Sequence, residues 1–180
     1  NIYKGFKDYR KSIENYNIAL NSINKDSDSY ADILYRRGGS YERLKEFERA
    51  DGDLLLALEL NPDQPYVLNY LAYSWLERKI NIDQSMQMLL KAYEQKQSDP
   101  YIIDSVGWAY YLTEDYDLAE RFLKNALLIM PEDPVVNDHY GDVMWQLDMK
   151  LQARYYWNAA LSSDEAEEKL IEDINNKLLF

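Results

Sequence analysis

Small side chains recur along this 180-residue chain at a nearly constant interval, and no other feature narrows the fold as much. Ser12, Ala50, Ser85, Ala119 and Ala153 lie 38, 35, 34 and 34 residues apart. Ala19, Ala57, Ala92, Ala126 and Ala160 follow seven residues behind them at the same intervals. Gly38, Ala72, Gly107 and Gly141 form a third series, twelve residues ahead of the first in three cases and thirteen ahead of Ser85 in the other. Three series sharing one period define an internal repeat, and a period of this length belongs to stacked supersecondary units.

Each unit reads as helix, turn, helix. Ile103, Val106 and Tyr110, then Ala119, Leu123, Ala126 and Leu127, fall at helical spacing on two successive segments. The small residues stand where two helices cross, because a surface poor in Cβ atoms lets backbones approach. Polar joints such as Thr113-Glu114-Asp115 separate the segments. Pro62-Asp63 and Pro131-Glu132-Asp133-Pro134 end the second helix, since proline lacks the N–H that a helix needs and restrains its predecessor.

With these residues in place, the sequence resembles the tetratricopeptide-repeat family. Pro100 to Asp133 carries Val106-Gly107, Tyr110, Tyr116, Ala119, Leu123, Ala126 and Pro131 in the family's positions, with Ile103 replacing the early aromatic. The unit from Ala31 supplies Gly38, Tyr41, Phe47, Ala50, Leu54, Ala57 and Pro62. The unit from Pro65 supplies Leu71-Ala72, Trp75, Ile82, Ser85, Leu89 and Ala92, with one extra residue in the Arg78–Asn81 turn. The unit from Pro134 has Tyr140-Gly141, Met144, Ala153, Trp157 and Ala160 without the closing proline. The resemblance implies an all-α, right-handed α-solenoid with a C-terminal capping helix.

The expected organisation follows the repeats. Residues 1–24 match only the second helix of a truncated repeat, through Tyr9, Ser12, Tyr16 and Ala19. Residues 31–64 form a repeat, 65–99 a repeat with a one-residue insertion, 100–133 a repeat, and 134–163 a repeat. Residues 164–180 form the cap that a solenoid needs to cover its last apolar face, with Ser163 or Asp164 as N-cap and Ala166, Leu170, Ile174 and Leu178 on one side. A narrower likeness, through Asn69-Tyr70-Leu71-Ala72-Tyr73-Ser74-Trp75 and Asp104-Ser105-Val106-Gly107-Trp108-Ala109-Tyr110-Tyr111, is to C-terminal repeats of larger bacterial members. Many of those are exported to the cell envelope, so the periplasm is the compartment that this likeness favours over the cytoplasm.

Composition removes several function classes. A net charge of −12 opposes nucleic-acid binding, which relies on releasing counterions from phosphates with basic side chains. Cysteine is absent, which excludes disulfides, thiol nucleophiles and cysteine-bound metals. His139 is the only histidine, so a two-histidine metal site cannot form within one chain. No apolar run reaches the ~20 residues that span a bilayer. Glycine-rich phosphate loops and nucleophile elbows are missing. We therefore expect no enzyme, no cofactor and no membrane insertion.

The abundant aromatics need a use: 17 tyrosines and 4 tryptophans in this length. In the family the first helices line a concave groove, and the second, fifth, ninth and twelfth places of each repeat face it. Those places hold Asp32, Tyr35, Gly39 and Glu42; Tyr66, Asn69, Tyr73 and Leu76; Tyr101, Asp104, Trp108 and Tyr111; Val135, Asp138, Asp142 and Trp145. Seven are aromatic, five acidic and none basic. The expected groove residues are Tyr35, Tyr66, Asn69, Tyr73, Tyr101, Asp104, Trp108, Tyr111, Asp138, Asp142 and Trp145, and the expected partner is a protein or peptide with basic and apolar residues. Self-association is a further expectation, since an open solenoid end is sticky.

Alternative uses of these residues remain open at this stage. The aromatics can serve only as packing, with the chain acting as the structural end of a longer solenoid whose binding or catalytic part lies upstream. Asp104, Asp138 and Asp142 can hold a cation or act as paired acids, but carboxylates on a wet face are the commoner arrangement. His139 can pair with its neighbour Asp138 or be a satisfied core residue. The carboxylate clamp of chaperone-binding members is not expected, because its fifth places here are Tyr35, Asn69, Asp104 and Asp138.

Overall fold

The computed structural model describes residues 8–25 and 27–179, which form ten α-helices and no strand. In chain order they are α1 (Tyr9–Ser22), α2 (Asp28–Arg43), α3 (Phe47–Leu60), α4 (Pro65–Glu77), α5 (Ile82–Gln95), α6 (Pro100–Leu112), α7 (Tyr116–Ile129), α8 (Pro134–Gln146), α9 (Lys150–Leu161) and α10 (Glu168–Lys177). The sequence expectation for 1–24 falls partly on residues 1–7, which lie outside the described residues.

Helix starts are chemically explicit. Pro65, Pro100 and Pro134 open α4, α6 and α8, where a missing N–H costs nothing. Gln64, Asp99 and Asp133 precede them, and each side chain accepts from the next two free backbone N–H groups. The joints inside the repeats are less expected. Lys45, Lys79, Glu114 and Asp148 all have φ between 56° and 64°, a left-handed conformation normally left to glycine. Each is followed by a residue whose N–H reaches back to the carbonyl five before it: Glu46 to Tyr41, Ile80 to Trp75, Asp115 to Tyr110 and Met149 to Met144. That bond closes the first helix and turns the chain into the second. In the repeat with the inserted residue, Asn81 is left-handed as well, at 49°.

The chain divides into two compact units, Asn1–Ala92 and Tyr93–Phe180, with the division inside α5. In the first, α2 pairs with α3, α1 packs on α2, and α3 on α4. Its core gathers Leu20, Leu34, Leu54, Ala57, Val67, Leu71 and Trp75, beside a smaller cluster of Ile13, Tyr41 and Ala50. Arg37 on α2 grips both oxygens of Asp53 on α3 at 2.6 Å and reaches Asn17 on α1. Arg78, which caps α4, holds Asp51 on α3 at 2.7 Å and lies over Phe47.

In the second unit α6 pairs with α7 and α8 with α9, while α7 packs on α8 and α9 on α10. Ala119, Leu123, Val143, Ala153, Ala160 and Ile174 are fully buried in its main core. The close crossings are geometric: a Cβ on Gly107 would stand 2.6 Å from Leu123 Cγ, and one on Gly141 2.5 Å from Trp157 Cδ1.

The cap departs from its expected start. Neither Ser163 nor Asp164 caps α10; the N-cap is Glu167, whose side chain makes no capping hydrogen bond. Ser162 still closes α9, so Ser163 is drawn into the turn that follows, its hydroxyl accepting from Glu165 N and its carbonyl from Ala166 N. Ile174 is buried, and Leu170 and Leu178 pack half-buried on the same core.

Candidate functional site

In the first unit the expected groove residues are tyrosines with partial exposure. Tyr66 is 42% exposed, whereas Tyr35, Asn69 and Tyr73 are half-buried. Tyr35 meets Tyr70 edge-on at 5.8 Å between ring centres, and the Tyr70 hydroxyl donates to Glu42 and to the Gly39 carbonyl. Leu76, at a groove place by sequence, is 1% exposed and belongs to the core. A cavity of 180 Å³ is lined by Tyr9, Tyr16, Tyr35, Arg36, Arg43 and Tyr70, among others. Its arginines lie beside the groove places and went unnoticed in the sequence, where only those places were read.

In the second unit the three aspartates are not on a wet face. Asp104, Asp138 and Asp142 are buried, each under 9% exposed. Each is paired by a residue from a neighbouring helix, which is the physical reason a carboxylate can sit there. His139 Nδ1 on α8 lies 3.0 and 3.1 Å from the two oxygens of Asp104 on α6. The histidine therefore pairs across the repeat, and its charge also acts on adjacent Asp138. Lys177 on α10 reaches both oxygens of Asp138 at 2.8 and 2.9 Å and the carboxylate of Asp142 at 2.8 Å. Trp157 Nε1 also donates to Asp142, at 3.0 Å.

One ammonium serving two buried carboxylates leaves an electrostatic mark. Burial, reinforced by repulsion from Asp142, pushes the Asp138 carboxyl above the usual range despite Lys177. Burial pulls Lys177 down, but attraction to Asp142 and Asp138 outweighs it and leaves its pKa raised. Among the described residues no group of three or more acidic or histidine side chains is arranged to hold a metal ion.

The aromatics here form a column. Trp108 stacks on His139 at 4.1 Å and on Tyr111 at 4.7 Å, with ring planes within 11° of parallel. Trp145 lies 5.3 Å from Trp157 and carries Lys150 Nζ 3.9 Å from its ring centre. Tyr101 stands apart at 63% exposed. Beyond the column opens a cleft of 460 Å³ lined by Tyr111, Asp142, Trp145, Trp157, Asn176 and Lys177. The structure thus joins Tyr111, Asp142 and Trp145 in one cleft with two residues of α10, and packs Asp104 and Trp108 behind them.

Residues 31–64 match the tetratricopeptide-repeat family. This stretch is a tetratricopeptide repeat. Over 110 residues it is 31% identical to the TPR repeat-containing protein PA4667 of Pseudomonas aeruginosa, a stretch covering 61% of this chain and 18% of that relative. The chain therefore matches less than a fifth of the relative's length. Among solved structures it is similar to TTC0263, a thermophilic TPR protein of Thermus thermophilus, with a TM-score of 0.78 and 18% identity over 99% of this chain and 94% of the other. The type IV pilus biogenesis factor PilW gives a TM-score of 0.76 and 22% identity over 98% and 81%. These likenesses establish the all-α solenoid class of tetratricopeptide repeats. Such repeats are in general non-catalytic scaffolds that bind proteins or peptides. No helix among the described residues is long and apolar enough to cross a membrane.

Proposed function

We propose that this tetratricopeptide-repeat chain binds a peptide or protein segment through aromatic residues on its first helices, with Tyr111 and Trp145 as anchors in the second unit. The observation that carries this reading is the cleft of 460 Å³ between them. Its volume lies within the ~300–1,000 Å³ of ordinary ligand sites. Half-buried Tyr and Trp offer large contact area at low entropy cost, which is why interfaces concentrate them. Asp104, Trp108 and Asp138 support the cleft from behind, where their partners lie within the fold. In the first unit, Tyr35, Tyr66, Asn69 and Tyr73 offer a separate, tyrosine-lined surface of the same kind.

The test compares the wild-type chain with Tyr111→Ala/Trp145→Ala, shown folded by circular dichroism, as baits for partners from the source cell. A captured protein is then purified and titrated against both. Loss of about 2 kcal/mol of binding free energy, the scale of an interface hot spot, supports the reading. Equal affinity for the two chains sinks it.

A further inference from the structure

The cleft of the second unit has walls and charge that specify more than an apolar anchor. Three rings line it: Tyr111, Trp145 and Trp157. Two of them already hold cations, Lys150 Nζ 3.9 Å from the centre of Trp145 and Lys177 Nζ 5.8 Å from that of Trp157. Lys177 is committed to Asp138 and Asp142 at 2.8 Å, whereas Lys150 donates to the Trp145 carbonyl at 2.7 Å and lies 3.7 Å from Asp148. Two buried carboxylates, Asp138 and Asp142, thus share the Lys177 ammonium. Burial first, and then repulsion from Asp142, raises the Asp138 carboxyl. Asp142 lines the cleft while accepting from Trp157 and Lys177, and a carboxylate with about four lone-pair sites retains capacity for another donor.

We infer that this cleft receives an arginine side chain presented by a partner segment, its guanidinium lying against the Trp145 and Tyr111 rings and donating to Asp142. The inference rests on the groove-binding reading above. Guanidinium fits better than ammonium because it is planar, stacks on aromatic faces and sheds water more readily. A cation over an aromatic ring gains modestly at exposed sites and more as water is shed.

The probe is the pentapeptide acetyl-Gly-Ala-Arg-Ala-Gly-amide, titrated into the ¹⁵N-labelled full chain while the indole N–H signals of Trp145 and Trp157 are followed. Its citrulline and lysine counterparts are the controls. The expected result is a saturable shift of both signals with the arginine peptide and at least tenfold weaker binding of the citrulline peptide. Trp145→Ala, or Tyr111→Leu if the first variant does not fold, should weaken the arginine peptide tenfold. No saturable shift, equal binding of citrulline, or binding indifferent to the substitution overturns the site. A lysine peptide binding as tightly overturns the choice of guanidinium. If the arginine response is absent while partner capture still depends on Tyr111 and Trp145, the arginine assignment alone fails. If both are absent, groove binding fails with it.

Discussion

The two units seal the same helix-pair architecture with opposite chemistry. In the first, guanidinium groups reach α3: Arg37 on α2 takes Asp53, and Arg78 at the end of α4 takes Asp51. The aromatics at its groove places are tyrosines, and beside them the Tyr70 hydroxyl donates to a neighbour's side chain. In the second, the carboxylates themselves are on the first helices, and the base comes from the next-but-one helix along the chain. The contrast shows that the repeat constrains small residues and helix ends tightly but leaves the polar links free. The second solution sets buried carboxylates beside an aromatic cleft.

The sharpest way to break this contrast is to remove one base from each unit. Lys177→Met strands two buried carboxylates, and breaking a buried pair typically costs about 3–5 kcal/mol. Arg37→Met strands Asp53 alone and should cost roughly 1 kcal/mol less. Thermal unfolding, with hydrogen exchange to localise the loss, gives both numbers; equal losses would show that the second carboxylate adds nothing.

Alkaline titration sharpens the same point. The folded pKa of Lys177 lies above the ordinary 10.5. Its contribution is therefore complete below that ordinary value and is lost as pH rises through the folded one. The stability gap between wild type and Lys177→Met should be constant from neutrality to about pH 10 and shrink above it. A gap that closes below pH 9 would refute the assignment.

Glycines separate the units on a smaller scale. Gly141→Ala drives a methyl into Trp157 in the second unit and should cost about 1–3 kcal/mol, read as a lower melting temperature. Gly52→Ala, on an exposed helix face of the first unit with nothing within 4 Å, should gain about 0.5–1 kcal/mol. A stabilising Gly141→Ala would mean that the α8–α9 crossing relaxes freely.

These outcomes bear on what a reader of the sequence could have known. The fold was legible because close crossings admit few residue types: no Cβ fits at Gly107 without moving Leu123, so the period shows through. Proline and a capping side chain announced α4, α6 and α8 equally plainly. The left-handed joints at Lys45, Lys79, Glu114 and Asp148 gave no signal, since glycine is absent from them. Of the candidate site, the aromatic places came from the family resemblance, which assigns the groove-facing positions of each first helix. The partners of its acids were not legible: His139 is 35 residues from Asp104, and Lys177 is 39 from Asp138, on a cap that shares no repeat pattern. Counting charges on the first helices alone therefore made the site more acidic, and wetter, than it is.

The placement of those bases has a consequence for how the second unit comes apart. Asp104 is hydrogen-bonded by a residue of the next repeat, and Asp138 and Asp142 are paired with one of the helix after that. The buried carboxylates of each repeat in this unit gain these partners only once its successor has docked. In a linear array whose stability is a sum of intrinsic and nearest-neighbour contributions, such debts to the neighbour raise the coupling and suppress fraying. Residues 93–180 should then melt as one cooperative block, nucleated or lost together, where helix pairs with self-contained ion pairs would peel away singly.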